Sequence, residues 1–414
     1  MPPPVPPAPS APLPAADIDA QPAPVPAVPS PGGICRVAAI DTTCQLTLAA
    51  APLVEPAIAG HTWLNLPTLA FLITHAASGR QVLFDLGCRK DFWSLPPPVT
   101  SMLYGHMPGL RVDECLADVL EAGGVDLANI EAAIISHHHF DHFGDPTVFP
   151  TSMALVVGPG FSDHFLPGYP TSPASPAHEE AFHGRTVLEL GFDSDAAVVA
   201  GFRAQDYFGD GSLYVLDTPG HAVGHISALV RTTPASIEDK NSTDDFVFLG
   251  GDICHFGGSL RPTPYVPMPT TLTARLAGVG DDDVHQLPVS SFTCCHYVQD
   301  PLQARTTPYY RISAGAGSWH EDPVAAQQSL DRLQIIDAND RFFVVFSHDL
   351  SLMDIVPLFP AAELNGWRAA GWKQQARWRW LDEIPWDGKH GQELLVDGAY
   401  IDGRRVKDFP GAVY

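Results

Sequence analysis

Short apolar runs that stop abruptly at a polar or glycine-rich turn recur along this chain and set its framework. Ala132-Ala133-Ile134-Ile135, Leu213-Tyr214-Val215-Leu216, Phe246-Val247-Phe248-Leu249 and Phe342-Phe343-Val344-Val345-Phe346 are too short for helices, so each predicts a buried strand. Ala154-Leu155-Val156-Val157 predicts another. Nearer the start, Cys35–Ile40 and Leu46–Leu48 predict strands. Leu69–Thr74 and Gln81–Asp85 predict a hairpin closed through Ala77-Ser78-Gly79-Arg80, with His75 at the surface of the turn. A short helix is predicted behind Asp113 as its cap, carrying Leu116, Val119 and Leu120 and stopping at Gly123-Gly124.

Between these elements lie stretches without periodicity. Residues 88–111 include Trp93, Met102, Leu103, Tyr104 and Met107, and residues 158–176 are rich in Pro and Ser. Loops of this kind either cover a core or line a pocket, and both are candidates to bury an acyl or aryl group. Residues 1–32 are mostly Pro and Ala, a composition that buries too little surface to offset its ordering entropy; they predict a disordered or loosely draped tail. A Pro-rich ligand for a partner domain is the other reading of that segment. Residues 33–414 then form the folded domain. Near its end Trp367, Trp372, Trp378 and Trp380 alternate with Arg368, Lys373, Arg377 and Arg379, which predicts an amphipathic helical cover over about residues 350–414.

Composition narrows the partners. Of 414 residues, 45% are hydrophobic and only 17% charged, enough for a large globular core, while a formal net charge of -24 repels polyanions. Nucleic acid and acidic membrane surfaces are therefore excluded as partners, and the tryptophan–arginine segment is not read as a base-stacking surface. No apolar stretch approaches the roughly 18 to 20 residues that cross a bilayer, and no secretory signal follows Met1, so a cytoplasmic location is expected. The seven cysteines are irregularly spaced and form no CxxC pair, which supports neither a disulfide framework nor a structural zinc knuckle. Nothing in the sequence indicates the oligomeric state.

The candidate chemistry sits where the runs stop. Behind Ala132–Ile135 comes Ser136-His137-His138-His139-Phe140-Asp141-His142. Side chains two apart on an extended segment point the same way, so His137 and His139 can share a cation, while Asp141 and His142 swing round the following turn; the spacing suits two adjacent metals. His138 faces away. The other runs end in Asp217-Thr218-Pro219-Gly220-His221, in Gly250-Gly251-Asp252 and in Ser347-His348-Asp349. Four strands ending in ligand-type residues match the rule that open α/β sheets build sites at strand ends. The glycine pair before Asp252 allows close backbone approach to a metal. Imidazole and carboxylate donors favour zinc, though manganese, iron or cobalt would also be held.

The set His137-x-His139-x-Asp141-His142, then His221 in a Thr-Pro-Gly-His turn, Asp252 and His348, resembles the metallo-β-lactamase superfamily over residues 35–350. The resemblance implies an α/β fold, a four-layer αβ/βα sandwich with a dinuclear metal site between the two sheets. It implies that His137, His139 and His221 hold one Zn2+, that Asp141, His142 and His348 hold the second, and that Asp252 bridges them. Asp85 in Phe-Asp-Leu-Gly matches the family's early Asp-x-Gly, which supports the site from behind. The two cations would lower the pKa of a shared water toward about 7 and hold a hydroxide ready to attack.

Departures within the family narrow the activity. True β-lactamases lack the bridging carboxylate at Asp252, and the redox di-iron relatives have Glu where this chain has His139, so hydrolysis other than of antibiotics is implied. The N-acyl homoserine lactonase-like branch is the leading resemblance, with opening of a lactone or related ester as the expected reaction. Thioesterases of the glyoxalase II type and aryl phosphotriesterases are the alternative. Lactonases often carry Tyr three residues beyond the bridging Asp; here that position is His255, which can donate to the substrate oxygen or act as general acid, and together with Asp141 it is assigned to catalysis. His225 is expected to orient ligands rather than bind metal. The expected substrate is small, neutral and partly apolar, because no basic cluster is present to grip glutathione or a carrier phosphate.

Overall fold

The apolar runs assemble into two sheets in a computed structural model that describes residues 17–235, 243–275, 284–386, 393–401 and 403–407. Cys35–Ala49 and Trp63–His75 pair antiparallel, and the two predicted runs near Cys35 are one strand with an irregularity between Asp41 and Gln45. Thr74 faces Gln81 across the hairpin. Gln81–Phe84, Ile130–Ile134 and Ala154–Val157 then follow as parallel neighbours. Among the described residues this first sheet has nine strands, and the second has six. In the second, Leu213–Asp217, Ile226–Thr233 and Asp245–Leu249 are antiparallel, and Phe342–Val345 joins parallel to Asp245–Leu249.

Successive strand residues point to opposite faces, so Phe84 enters the core between the sheets while Leu83 enters the core outside the first sheet. Between the sheets, Val37, Phe71 and Ile134 meet Val215, Val247 and Val345. The outer face of the first sheet is covered by Leu116–Ala122 and Phe161–Phe165, and that of the second by Leu330, Leu333 and Ile336 of helix Pro323–Ala338. This is the four-layer αβ/βα sandwich. A separate core at one end joins Leu48, Leu64 and Leu66 to Val99, Leu103, Phe256, Tyr309 and Trp380.

Several local expectations change. Asp113 does not cap the Leu116–Ala122 helix: Cys115 occupies that position, and Asp113 instead accepts from Arg111 Nε at 2.9 Å. His75 is buried rather than on the surface, its ring held between Ser78 and Asp210. Residues 1–16 of the predicted tail lie outside the described residues. Residues 17–31 form no regular element but are draped on the domain: Gln21 N–H donates to the Pro264 carbonyl and Ala200 N–H to that of Ala27, at 2.9 and 2.7 Å. The C-terminal cover is not one helix. Gly371, at φ +71°, separates Trp367–Ala370 from Trp372–Ala376, a backbone turn that breaks an amphipathic stripe. Further on, Gly398–Ile401 pairs parallel to Gly109–Val112 and extends the first sheet.

One buried ion pair fixes the segment behind Asp252. Arg261 closes the short Gly257–Leu260 helix and makes two 2.7 Å bonds to Asp337 on helix Pro323–Ala338. Burial pushes the Asp337 carboxyl up, but the Arg261 guanidinium outweighs it and holds the carboxyl at about 2, below its ordinary 3.8. A carboxylate depressed on folding stabilises the fold above its ordinary range and loses that contribution as pH falls toward about 2. Asp337→Asn is expected to cost about 3–5 kcal/mol near neutral pH, since it leaves a buried guanidinium unpaired. Urea unfolding measures the loss, and the gap between variant and wild type should narrow in acid below the ordinary carboxylate range.

Candidate metal centre

Asp85 organises the first part of the site. It ends strand Gln81–Phe84 in a left-handed conformation, φ +61°, and is fully buried. Its Oδ1 accepts from Ser136 N–H at 2.7 Å, and its Oδ2 accepts from Ser136 Oγ–H and His142 Nδ1–H, both at 2.8 Å. The carboxylate therefore aims the turn leaving Ile130–Ile134 and fixes the His142 tautomer, leaving Nε2 with a free lone pair. The single turn Phe140–Phe143 then swings Asp141 and His142 away from His137 and His139, as the spacing requires.

Two clusters result. In the first, His137 Nε2 lies 2.8 Å from His139 Nδ1, which lies 3.0 Å from His221 Nε2. Asp252 Oδ2 faces them, 3.3 Å from His221 Nε2 and 3.6 Å from His137 Nε2. In the second, His142 Nε2 and His348 Nε2 are 3.2 Å apart, Asp141 Oδ2 is 3.4 Å from His348 Nε2, and Asp252 Oδ1 is 3.1 and 3.2 Å from the two rings. Ligands around a tetrahedral cation at about 2.0–2.1 Å stand roughly 3.3 Å from one another, so both clusters have the size of a metal shell. Asp252 offers one oxygen to each. His348 Nδ1–H donates to the Pro67 carbonyl at 2.9 Å, which again turns a lone pair on Nε2 inward.

Electrostatics agree with cation binding. Burial, reinforced by neighbouring imidazoles, holds His137 and His139 far below their ordinary range, and burial does the same to His221 against the pull of Asp252; their nitrogens are free to ligate. For His142 and His348 burial acts downward but is outweighed by Asp252 and Asp141, which draw positive charge into the second cluster. Asp252 Oδ1 is buried with no hydrogen-bond donor among the described residues. Inward-facing imidazole nitrogens and the buried carboxylates of Asp141 and Asp252 gather round each space, and this donor set fits two divalent cations.

The backbone around Asp252 is held from behind. His225 Nδ1–H donates to the Thr218 carbonyl at 2.9 Å, so its Nε2 accepts the Asp252 N–H at 3.0 Å, and the ring orients rather than ligates. Gly251, at φ +55°, has no room for a side chain: a Cβ there would lie 2.8 Å from Ser136 Cβ. Gly220 is as tightly placed, since its Cβ would meet the Ala326 backbone nitrogen at 2.0 Å. His138 stacks on Phe165 with ring centres 4.1 Å apart, away from both clusters.

Beneath the clusters lies a cavity of about 220 Å³ whose apolar wall is Leu48, Leu53, Leu66, Met102, Met107 and Trp319. The 88–111 stretch thus both packs a core and lines the pocket. Residues 158–176 do not line it; Phe161 and Phe165 are spent on the core outside the first sheet. His255 is in the wall, its Nε2 3.0 Å from Asp252 Oδ2 and its Nδ1 without a hydrogen-bond partner among the described residues. Sequence reasoning missed Trp319 and His320, whose Nδ1 stands 3.2 Å from His221 Nδ1. They come from an irregular loop with no strand end to mark it.

Comparison with known proteins gives a consistent picture. The profile of the metallo-beta-lactamase superfamily matches residues 64–231. The chain is 38% identical to "Gamma-lactamase FDB1" of Fusarium pseudograminearum (strain CS3096) over 90% of its length and 89% of that protein. It is 35% identical to "Metallo-hydrolase mfmC" of Annulohypoxylon moriforme over 88% of its length and 91% of that protein. It is 30% identical to "N-acyl homoserine lactonase AttM" of Rhizobium radiobacter over 40% of its length and 60% of that protein.

His225→Leu removes the acceptor of the Asp252 N–H without touching a ligand atom. Zn2+ affinity measured in competition with a chelating dye is expected to fall roughly 10- to 100-fold with secondary structure retained. An unchanged affinity would contradict the orienting role.

Proposed function

The chain belongs to the metallo-β-lactamase superfamily, and from that membership we propose that it is a dinuclear zinc hydrolase that opens a small, neutral, partly apolar lactone or γ-lactam. The observation that carries the proposal is the convergence of His137, His139, His221, Asp252, Asp141, His142 and His348 above an apolar cavity in whose wall, among the described residues, no Lys or Arg appears. When bound, two divalent cations supply Lewis acidity and activate a water as nucleophile. The residues of the chain supply the rest. Asp252 offers an oxygen to each cluster, and Asp141 and Asp252 offset the cationic charge. Leu48, Leu53, Met102, Met107 and Trp319 exclude bulk water and take the apolar part of the substrate.

The cyclic amide is included because a relative that matches over 90% of the chain is named a gamma-lactamase, while the lactonase match covers 40% of it. Ring opening expels an alkoxide from a lactone or an amine nitrogen from a lactam. Both are poor leaving groups, the nitrogen more so, and both need a proton or a donor at the departing atom. His255 is proposed for that role: its Nε2 stands 3.0 Å from Asp252 Oδ2, and a cation held by that oxygen would leave the His255 N–H available to the substrate. Asp141, whose carboxylate also lines the cavity, is proposed as ligand and as the group that would take the proton lost by the attacking water and pass it to the departing atom, which His255 would hold by a hydrogen bond. A thioesterase or aryl phosphotriesterase reaction remains the alternative use of the same donors. The lack of a basic grip for a glutathione carboxylate among the described residues of the wall favours the neutral substrate.

Elemental analysis is expected to find about two zinc ions per chain. Asp252→Ala should lower that content and nearly abolish hydrolysis, because both clusters lose an oxygen. A fully active, metal-free protein would overturn the reading. His255→Phe should slow lactone and lactam opening by roughly ten- to a thousandfold while sparing activated aryl esters, which leave without a donor. These are read from kcat/KM across lactones, γ-lactams, thioesters, phosphotriesters and penicillins. Efficient turnover of glutathione thioesters with every lactone and lactam intact would replace the proposal with the thioesterase alternative.

A further inference from the structure

His320 lies on no strand end and in no motif, yet it is buried against a ligand of the first cluster. Its Nε2 is 2.9 Å from the Leu53 carbonyl oxygen, which can only accept, so that nitrogen carries the proton and Nδ1 keeps a lone pair. Nδ1 in turn is 3.2 Å from His221 Nδ1. The opposite nitrogen of His221, Nε2, faces His139 Nδ1 at 3.0 Å and Asp252 Oδ2 at 3.3 Å, so a ligating His221 must place its own proton on Nδ1, pointing at His320. The tautomers form one ordered series: Leu53 C=O accepts from His320, and His320 accepts from His221. Each proton position follows from the previous one.

The backbone reinforces the series. Glu321 N–H donates to the His221 carbonyl at 3.1 Å and Asp322 N–H to that of Gly220 at 2.9 Å, zipping this loop to the ligand's turn. On the other side Trp319 N–H donates to the Pro52 carbonyl at 3.0 Å and Ser313 N–H to that of Leu53 at 3.2 Å. Leu53 and Trp319 are both in the cavity wall. The residue that aims the ligand and the residues that shape the pocket are therefore held by one loop.

We propose that His320 is a positioning residue that fixes the tautomer and direction of His221, and that it ties the first metal shell to the pocket wall formed by Leu53 and Trp319. The proposal rests on the reading that the two clusters hold cations. Metal-binding histidines commonly give their outer N–H to a carboxylate or a backbone carbonyl; here a second imidazole is inserted between ligand and carbonyl. Such a relay needs an acceptor and a donor on one side chain. A primary amide also has both, whereas an alkyl chain has neither.

The test uses Zn2+ titration of the full chain against a chelating dye, with Co2+ absorption as a second view of ligand geometry. Wild type should bind two Zn2+. His320→Ala and His320→Met should bind one ion normally and the other roughly 10- to 100-fold more weakly, with an altered Co2+ spectrum. His320→Gln should recover most of the affinity, because its amide can accept from His221 and donate to Leu53. Methionine fills the space of the ring, so it carries the comparison with glutamine if the alanine variant does not fold. Two wild-type affinities in the methionine variant would overturn the proposal, as would a glutamine variant no better than methionine. A third zinc equivalent lost on substitution would make His320 a ligand, which also overturns it. Absence of metal from wild type would instead overturn the reading of the centre itself.

Discussion

The shared carboxylate of Asp252 is the constraint on which the rest of the centre depends. A carboxylate removed from water is costly unless paired, and here each oxygen faces imidazole nitrogens rather than a conventional donor network. Oδ1 has no hydrogen-bond donor among the described residues. Asp141 adds a second buried carboxylate to the same space. Two cations satisfy both acids and the inward lone pairs at once, which is why the proposed dinuclear centre accounts for the arrangement better than a core of neutral histidines.

Holding that carboxylate in place recruits both sheets. Asp85, from the first sheet, aims Ser136 and His142; His225, from the turn before Ile226–Thr233 of the second, takes the Asp252 N–H. Gly251 allows the two layers to approach, since a single Cβ there would strike Ser136. Arg261, bound to Asp337, anchors the chain that leaves the site. The acceptors behind the rings fix a proton as well as a position: the Asp85, Thr218 and Pro67 oxygens each hold the Nδ1–H and turn Nε2 of His142, His225 and His348 inward.

Most of this was legible in the sequence because it is local. A strand that stops at His137 or His348 declares both the element and the residue it delivers, and the x-spacing of His137, His139, Asp141 and His142 follows from the two-residue repeat of extended chain. What escaped depends on contacts between distant, irregular segments. His320 meets His221 across 99 positions, and its other partner is a backbone carbonyl, which any residue could provide. Trp319 and Leu53 likewise line the cavity from turns without periodicity. The 158–176 stretch misled for the converse reason: apolar residues in a loop do not declare whether they face a core or a cavity, and Phe161 and Phe165 face a core. Glycine at position 371 split the predicted terminal helix, a break visible only once the backbone turned left-handed there.

The most direct measurement is anomalous diffraction at the zinc edge from crystals of zinc-loaded protein. The account predicts two peaks a few ångströms apart, one enclosed by His137, His139 and His221, the other by Asp141, His142 and His348, with one oxygen of Asp252 directed at each. A single ion, or two ions that do not share Asp252, would contradict it.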